Sequence, residues 1–339
     1  MKSRTMEAFT FKRYGKSPEL GFDVVDFPSP GADEILVKVH AVGLNPIDNM
    51  IPTGMFKPVL HFKLPATLGS DLAGVVVAVG ARVTRFIPGD EIFASIFDTG
   101  TGSLAEFARV PENAAALKPA NLSFVEAASL PMVSLTSWQA LTERAGLRPG
   151  QNVFIPAGSG GIGSFAIQLA KHLGANVGTT TSTENVDWVS RLGADEVIDY
   201  KKQAFDNVLS GYDIVLGTLR GGVIEKSAQI LKPGGKIISL IGPLDAAFAQ
   251  ARGLNFLLRF VFGLMSRKII RLTKKRGLTY SFLFVRPDGA QLTQISKLTE
   301  AEHIIPVIDK VFPFAATKDA LDYLAGGHAK GKVVVKIQE

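Results

Sequence analysis

One short stretch, Gly158-Ser159-Gly160-Gly161-Ile162-Gly163, constrains this chain more than any other. It fits G-x-G-x-x-G. Before it runs an apolar, β-branched segment, Asn152-Val153-Phe154-Ile155, and after it a segment with helical spacing from Ile162 to Leu173. In that setting the glycines permit a tight turn, close approach of a pyrophosphate to the backbone, and tight packing of helix on strand. The helix start then offers unpaired N–H groups and the positive end of its dipole to phosphates. The motif alone is weak, but the strand before it and the helix after it make it a dinucleotide site. The candidate cofactor-binding residues are Gly158, Ser159, Gly160, Gly161, Ile162 and Gly163.

The rhythm around the motif extends the argument. Strand-like runs at 152–155, 176–180, 196–199, 213–216 and 236–240 alternate with helical segments. That alternation predicts a doubly wound parallel sheet with helices on both faces, an α/β domain. The N-terminal part reads differently. Short β-branched runs at Ile35–Val42 and Gly74–Val79 lie between loops punctuated by Pro28, Pro30, Pro46, Pro52, Pro58 and Pro65, as in a mainly β domain. The last segment, from Val311 to Phe314 and on through Lys332 to Ile337, is β-like again and is expected to return to the first domain. A length of 339 residues suits two domains.

The second strand of the α/β part ends Thr179-Thr180-Thr181-Ser182-Thr183. An NAD site places an acid there to bind the ribose 2′-hydroxyl. Hydroxyls stand there instead, and hydroxyls accommodate a 2′-phosphate that a carboxylate would repel. NADP(H) is the expected cofactor, with Thr181, Ser182 and Tyr200 as its contacts. Glu184, two residues beyond Ser182, argues the other way.

Composition excludes several classes of function. There is no cysteine, which removes disulfides, thiolate metal sites and a cysteine nucleophile. The five histidines show no zinc-ligand spacing, so no metal site is expected. The net charge of +6 is local: seven bases and no acid lie between Arg259 and Arg276, and outside that stretch acids exceed bases by one. Nucleic acid is therefore not an expected partner. The first residues show no signal-peptide pattern, giving a cytoplasmic expectation. The apolar run Leu254–Met265 is too short to span a bilayer, which takes about 20 residues.

That basic region, 253–277, stands apart. Leu254, Leu257, Leu258, Val261, Leu264 and Met265 lie near helical spacing, and the bases crowd the C-terminal half. An ordinary core-packed helix with a solvated basic end is one reading. A lid over a substrate, a subunit interface and peripheral contact with anionic lipid are the others.

Several motifs in fixed order carry a family resemblance. They are Gly43-Leu44-Asn45-Pro46-Ile47-Asp48, Gly69-Ser70-Asp71-Leu72-Ala73-Gly74, Val79-Gly80, Pro88-Gly89-Asp90, Ala157 to Gly163, and Gly331-Lys332-Val333-Val334-Val335. Together they make the chain, from about Met6 to Ile337, resemble the medium-chain dehydrogenase/reductase superfamily, in particular its zinc-independent quinone oxidoreductase and enone reductase branch. The resemblance implies a GroES-like domain from residues 1–125 and 286–339 and a Rossmann domain from 126–285, with the active site in the cleft between them and a homo-oligomer, commonly a dimer. Zinc-dependent relatives carry Cys where Asn45 stands and Gly-His-Glu where Gly69-Ser70-Asp71 stands, and the chain lacks their four-cysteine lobe. Asn, Ser and one Asp do not make the usual zinc donor set.

By the same resemblance Asn45 lies near the nicotinamide and donates through its amide, with Asp48 fixing the backbone beside it. Thr136 contacts the nicotinamide or its ribose. Leu283 and Phe284 pass their backbone along the ring, or are simply core strand. Lys332 reaches the adenine-side phosphates, or is solvated. The implied reaction is hydride transfer from NADPH to a small-molecule quinone or to the activated C=C of an enone or enal. No residue is identified as proton donor. An alcohol/aldehyde oxidoreductase and a non-catalytic nucleotide-binding or membrane-associated protein are the alternatives.

Overall fold

The computed structural model describes residues 4–338, which divide into two compact units. The first runs up to Leu135 and resumes at Arg286; the second is Thr136–Val285. The junction lies within the helix Pro131–Trp138, later than the expected boundary at 125/126. The reason is tertiary packing. The helix Phe124–Ala128 packs on first-unit strands, and the amide of Met132 donates to both carboxylate oxygens of Asp71 at 3.1 Å.

In the first unit the long strand Glu34–Leu44 pairs antiparallel with Asp71–Val79, Phe107–Pro111 and the C-terminal strand Lys332–Lys336. The sheet continues through Glu91–Ser95 to Ala115–Leu117 and, at its other edge, to Ile308–Pro313. A three-stranded sheet of Leu20–Asp26, Thr5–Phe11 and Ala66–Thr67 completes the β framework. The chain does return to its first domain. Val333 sits opposite Leu44, so segments far apart in the sequence meet in adjacent strands. Ile35, Val37, Val39, Val42 and Val333–Val335 are buried, as apolar residues on an internal strand should be.

The second unit is a six-stranded, wholly parallel sheet ordered Glu196–Asp199, Asn176–Thr181, Asn152–Ile155, Tyr212–Gly217, Leu231–Ser239, Thr279–Phe282. In order along this unit the strands run 3-2-1-4-5-6, the doubly wound arrangement. The order reverses between Asn152–Ile155 and Tyr212–Gly217, so the ligand-binding edge of such a sheet falls at the end of Asn152–Ile155, where the glycine stretch follows.

The segment 253–277 forms the helix Phe256–Lys275, capped by Asn255, whose side chain accepts from the Leu258 amide. Its buried face is not the apolar stripe that spacing picks out, so the core-packed reading of that stripe does not hold. Phe262, Ser266, Ile269 and Thr273 are inside, while Leu257, Val261, Leu264 and Met265 are exposed. Packing chose the face: Phe262 stacks on Phe248, and Ile269 joins Ile237 and Leu278 in the unit's core. Among the described residues no helix is long and apolar enough to cross a membrane.

Candidate active site and cofactor site

The glycine turn has the geometry its sequence demands. The helix Gly161–His172 starts from Gly160, which caps it in extended conformation (φ −81°, ψ 172°). A Cβ on Gly158 would meet Thr179 Oγ1 at 2.4 Å, and one on Gly163 would meet the Ala157 carbonyl at 2.2 Å. These two glycines are required by packing of helix on sheet. Gly160 differs: its backbone is ordinary, and a Cβ there would meet nothing closer than 3.5 Å. The protein itself has no need of glycine at that position, whereas a pyrophosphate approaching the helix start does. Ala157, in the left-handed region at φ 58°, aims the turn, and its amide donates to Thr180 Oγ1 at 3.1 Å. The cradle fits a dinucleotide, which Gly158 to Gly163 would hold.

At the end of the second strand the structure brings Thr181, Ser182 and Tyr200 together. The Tyr200 amide donates to the Thr181 carbonyl at 3.1 Å. Thr181 is buried, and its Oγ1 has no hydrogen-bond partner among the described residues. Ser182 is buried and accepts from Asn185 Nδ2 at 3.0 Å. Tyr200 is well exposed. A residue that no motif marks, Lys201, joins them, its ammonium 3.0 Å from Glu184. Hydrogen bonds to its own backbone N–H, to Lys201 and to Ser182 hold the Glu184 carboxyl below its usual range. The acid that argues against NADP(H) thus carries a compensating base. Both residues are plain in the sequence, but only the parallel pairing of Thr181 with Asp199 brings positions 184 and 201 together.

The first unit contains a buried polar network around Asn45. The Asn45 backbone amide donates to Asp48 Oδ2 at 2.7 Å, and Ser70 Oγ donates to Asp48 Oδ1 at 2.6 Å. Asn45 Nδ2 donates to Asp71 Oδ2 at 2.9 Å and to the Gly43 carbonyl at 3.3 Å. Lys332 Nζ donates to Asn45 Oδ1 at 2.6 Å and to the Leu44 carbonyl at 2.7 Å, and lies 3.8 Å from Asp71 Oδ2. The amide orientation follows from chemistry, because an ammonium only donates and must face Oδ1. All five side chains are buried.

Burial pushes the Asp48 carboxyl up to about 7, against hydrogen bonds from Ser70 and Asn45 that pull it down. Burial likewise raises Asp71 and lowers Lys332, each opposed by the other's charge. Ser70 also lines a small pocket of this unit with Ile51, Phe62, Leu68, Phe97 and Asp98.

Two expectations change here. Lys332 is not a solvated or phosphate-reaching lysine; the β-pairing of Lys332–Lys336 with Glu34–Leu44 inserts its ammonium among buried oxygens. Asn45 keeps its predicted neighbour Asp48, but both of its amide hydrogens are spent on Asp71 and Gly43. A hydrogen bond from Asn45 to a bound ring would have to displace one of them. Thr136 is buried in the helix Pro131–Trp138, immediately before a π-helical stretch, Gln139–Arg144. Leu283 is buried just past the last parallel strand, its amide donating to the Ser239 carbonyl at 2.9 Å. Phe284 packs against Phe248 and Phe282, with the Arg252 guanidinium 5.2 Å from its ring.

Comparison with known proteins agrees with this architecture. Residues 31–120 match the model of the alcohol dehydrogenase GroES-like domain, and residues 192–335 that of the zinc-binding dehydrogenase. The chain is 34% identical to the 2-methylene-furan-3-one reductase of Solanum lycopersicum, over 97% of this chain and 79% of that protein. It is 33% identical to the NADPH-dependent alkenal/one oxidoreductase, chloroplastic, of Arabidopsis thaliana, over 98% and 80%. Among solved structures, the quinone oxidoreductase of Coxiella burnetii superposes with a TM-score of 0.83 at 29% identity, over 99% of this chain and 100% of that one.

The two-unit fold and the dinucleotide cradle define a nicotinamide-dependent oxidoreductase acting on small molecules. The chain belongs to the medium-chain dehydrogenase/reductase superfamily, in its quinone oxidoreductase and enone reductase branch. The zinc in the name of the second matching model does not fit the residues present. Each carboxylate oxygen of Asp48 and Asp71 already accepts a proton donor, and the cation beside Asn45 Oδ1 is the Lys332 ammonium. Among the described residues no three His, Cys, Asp or Glu are grouped to hold a metal.

Proposed function

We propose that this protein is a zinc-independent reductase that uses NADPH to reduce a quinone or the activated C=C of an enone or enal. The observation that carries this reading is the closed network around Asn45, which fills with a lysine the place where an alcohol-oxidising relative needs a Lewis acid. An enone needs none, because its own carbonyl accepts the charge that develops on addition. NADPH, when bound, supplies the hydride. Gly158 to Gly163 hold the pyrophosphate. Ser182, Tyr200 and Lys201 hold the 2′-phosphate, Lys201 leaving Glu184 to do so. Thr136, Leu283 and Phe284 position the nicotinamide, and Asn45 orients the backbone and charges of the first unit.

Ser70 is the proton donor in this reading. It gives its hydroxyl proton to the enolate, or to the reduced quinone oxygen, and takes one from Asp48. The Asp48 carboxyl, held at about 7, is partly protonated near neutrality. Water refills the pair through Ser70 once product leaves. Glu184 supports a second reading of cofactor choice: a carboxylate at that point suits the 2′-hydroxyl of NADH.

The test follows oxidation of NADPH and of NADH with 1,4-quinones, short and long enones, and a simple aldehyde, with products identified by mass and NMR. A saturated ketone or a quinol formed with NADPH is the expected product. Turnover of the aldehyde alone overturns the reading, as does tight cofactor binding with no turnover of any acceptor. Ser70→Ala should lower kcat and leave the KM for NADPH unmoved.

A further inference from the structure

The helix Phe256–Lys275 presents a surface that the reaction does not use. Its 20 residues span roughly 30 Å at 1.5 Å per residue. One stripe, Phe262, Ser266, Ile269 and Thr273, fastens it to the second unit. The opposite face is divided along its length. The N-terminal half exposes Phe256 (85% exposed), Leu257, Phe260 (62%) and Leu264, all on the same side at helical spacing. The C-terminal half continues that side with Arg267, Lys268, Arg271, Lys274 and Lys275, all exposed. No acid occurs in sequence between Asp245 and Asp288, and an acid that faces this helix from a neighbouring element is Glu225, 3.2 Å from Lys268.

We propose that this face docks onto an anionic lipid surface, with Phe256, Leu257, Phe260 and Leu264 entering the acyl boundary and the basic half lying on the phosphates. Large aromatic and aliphatic side chains grouped in water mark an interaction site rather than ordinary surface. The charge selects the partner. A second copy of the chain fits poorly: a two-fold contact would set the basic half of one copy against either the basic or the apolar half of the other. A bilayer interface offers an apolar layer and an anionic layer side by side, matching the two halves of the helix. No helix among the described residues is long and apolar enough to cross a membrane, so the contact is peripheral. The inference does not depend on the reaction assigned above.

The test is co-sedimentation of the full chain with vesicles of phosphatidylcholine alone and of phosphatidylcholine mixed with phosphatidylserine, at low and high salt. Binding to the anionic vesicles only, released by salt, is expected. Arg271→Glu with Lys274→Glu should weaken it by about tenfold or more. Phe256→Ser with Phe260→Ser should weaken it similarly while keeping the parent's thermal melting and NADPH binding, since both side chains face solvent. Absence of binding at low salt overturns the proposal. So does equal binding to neutral vesicles, or binding unaffected by both double variants. A Phe260→Arg change that dissociates a dimer in sedimentation analysis without altering vesicle binding would assign the face to a second copy instead.

Discussion

Two lysine–carboxylate contacts in this protein invert the usual ranking by distance. Lys201 lies 3.0 Å from Glu184 with both side chains about half exposed, whereas Lys332 lies 3.8 Å from Asp71 with side chains 6% and 0% exposed. The shorter contact is the weaker one. In water the Lys201–Glu184 pair is screened, and ordering two long side chains costs entropy, so it adds little stability. Lys332 sits where neither it nor Asp71 can be hydrated, so removing one partner strands the other. Burial, not separation, decides which pair holds the fold together and which is free to be traded for a ligand. In the proposed function the surroundings of Lys332 support the site, and those of Lys201 form an adjustable binding edge.

Lys332→Met puts this contrast under the greatest load. It leaves Asn45 Oδ1 and the Leu44 carbonyl without their lysine donor and Asp71 without its counter-charge, and should cost about 3–5 kcal/mol in chemical denaturation. A loss under about 1 kcal/mol, the range of an exposed pair, would erase the distinction.

The glycine turn repeats the contrast on a smaller scale. Gly163→Ala forces a Cβ to within 2.2 Å of a backbone carbonyl and should lower stability by about 1–3 kcal/mol. Gly160→Ala makes only an ordinary 3.5 Å contact with the Ala157 carbonyl and should leave stability within about 0.5 kcal/mol of the parent. It should nevertheless weaken NADPH binding by about tenfold, roughly 1.4 kcal/mol, in calorimetric titration. Equal effects of the two changes would remove the argument that Gly160 serves the ligand.

Asp48→Asn probes the electrostatic half. The Asp48 carboxyl is raised in the folded state, so the folded chain holds a proton the unfolded chain has lost between 3.8 and about 7. Its contribution is fully present below 3.8 and declines as pH rises through that window. The asparagine variant should show a shallower fall in melting temperature from about pH 4 to about pH 7, because it has no proton to lose there. An unchanged slope would locate that dependence elsewhere.

Lys201→Ala should change stability by under about 1 kcal/mol, with the KM for NADPH rising several-fold and that for NADH unmoved. A matched rise for both cofactors would take Lys201 out of 2′-phosphate recognition.

Much of this was readable from residue order. The turn Gly158–Gly163 and the strands around it set the α/β domain, because glycine spacing and hydrophobic rhythm are local properties of the chain. The pairing of the C-terminal strand with the first unit was legible from its β-branched run. The junction near Leu135 was not, because the Asp71–Met132 contact that holds the start of that helix to the first unit joins distant residues.

In the candidate sites the same division holds. Residue order by itself pointed to the glycines, Thr181, Ser182 and Tyr200, since each lies in a motif or near a strand end, and the family resemblance added Asn45. Only tertiary structure decided that Lys332 is buried against Asn45 across 287 positions, and that Glu184 faces Lys201. It also decided which face of the helix Phe256–Lys275 turns inward. Spacing says that a helix is amphipathic, but Phe248 and the core around Ile237 choose the stripe, leaving Phe256 and Phe260 in solvent. Periodicity is written along the chain; burial is a property of what packs against it, and burial sets the strength of every charge and the exposure of every ring.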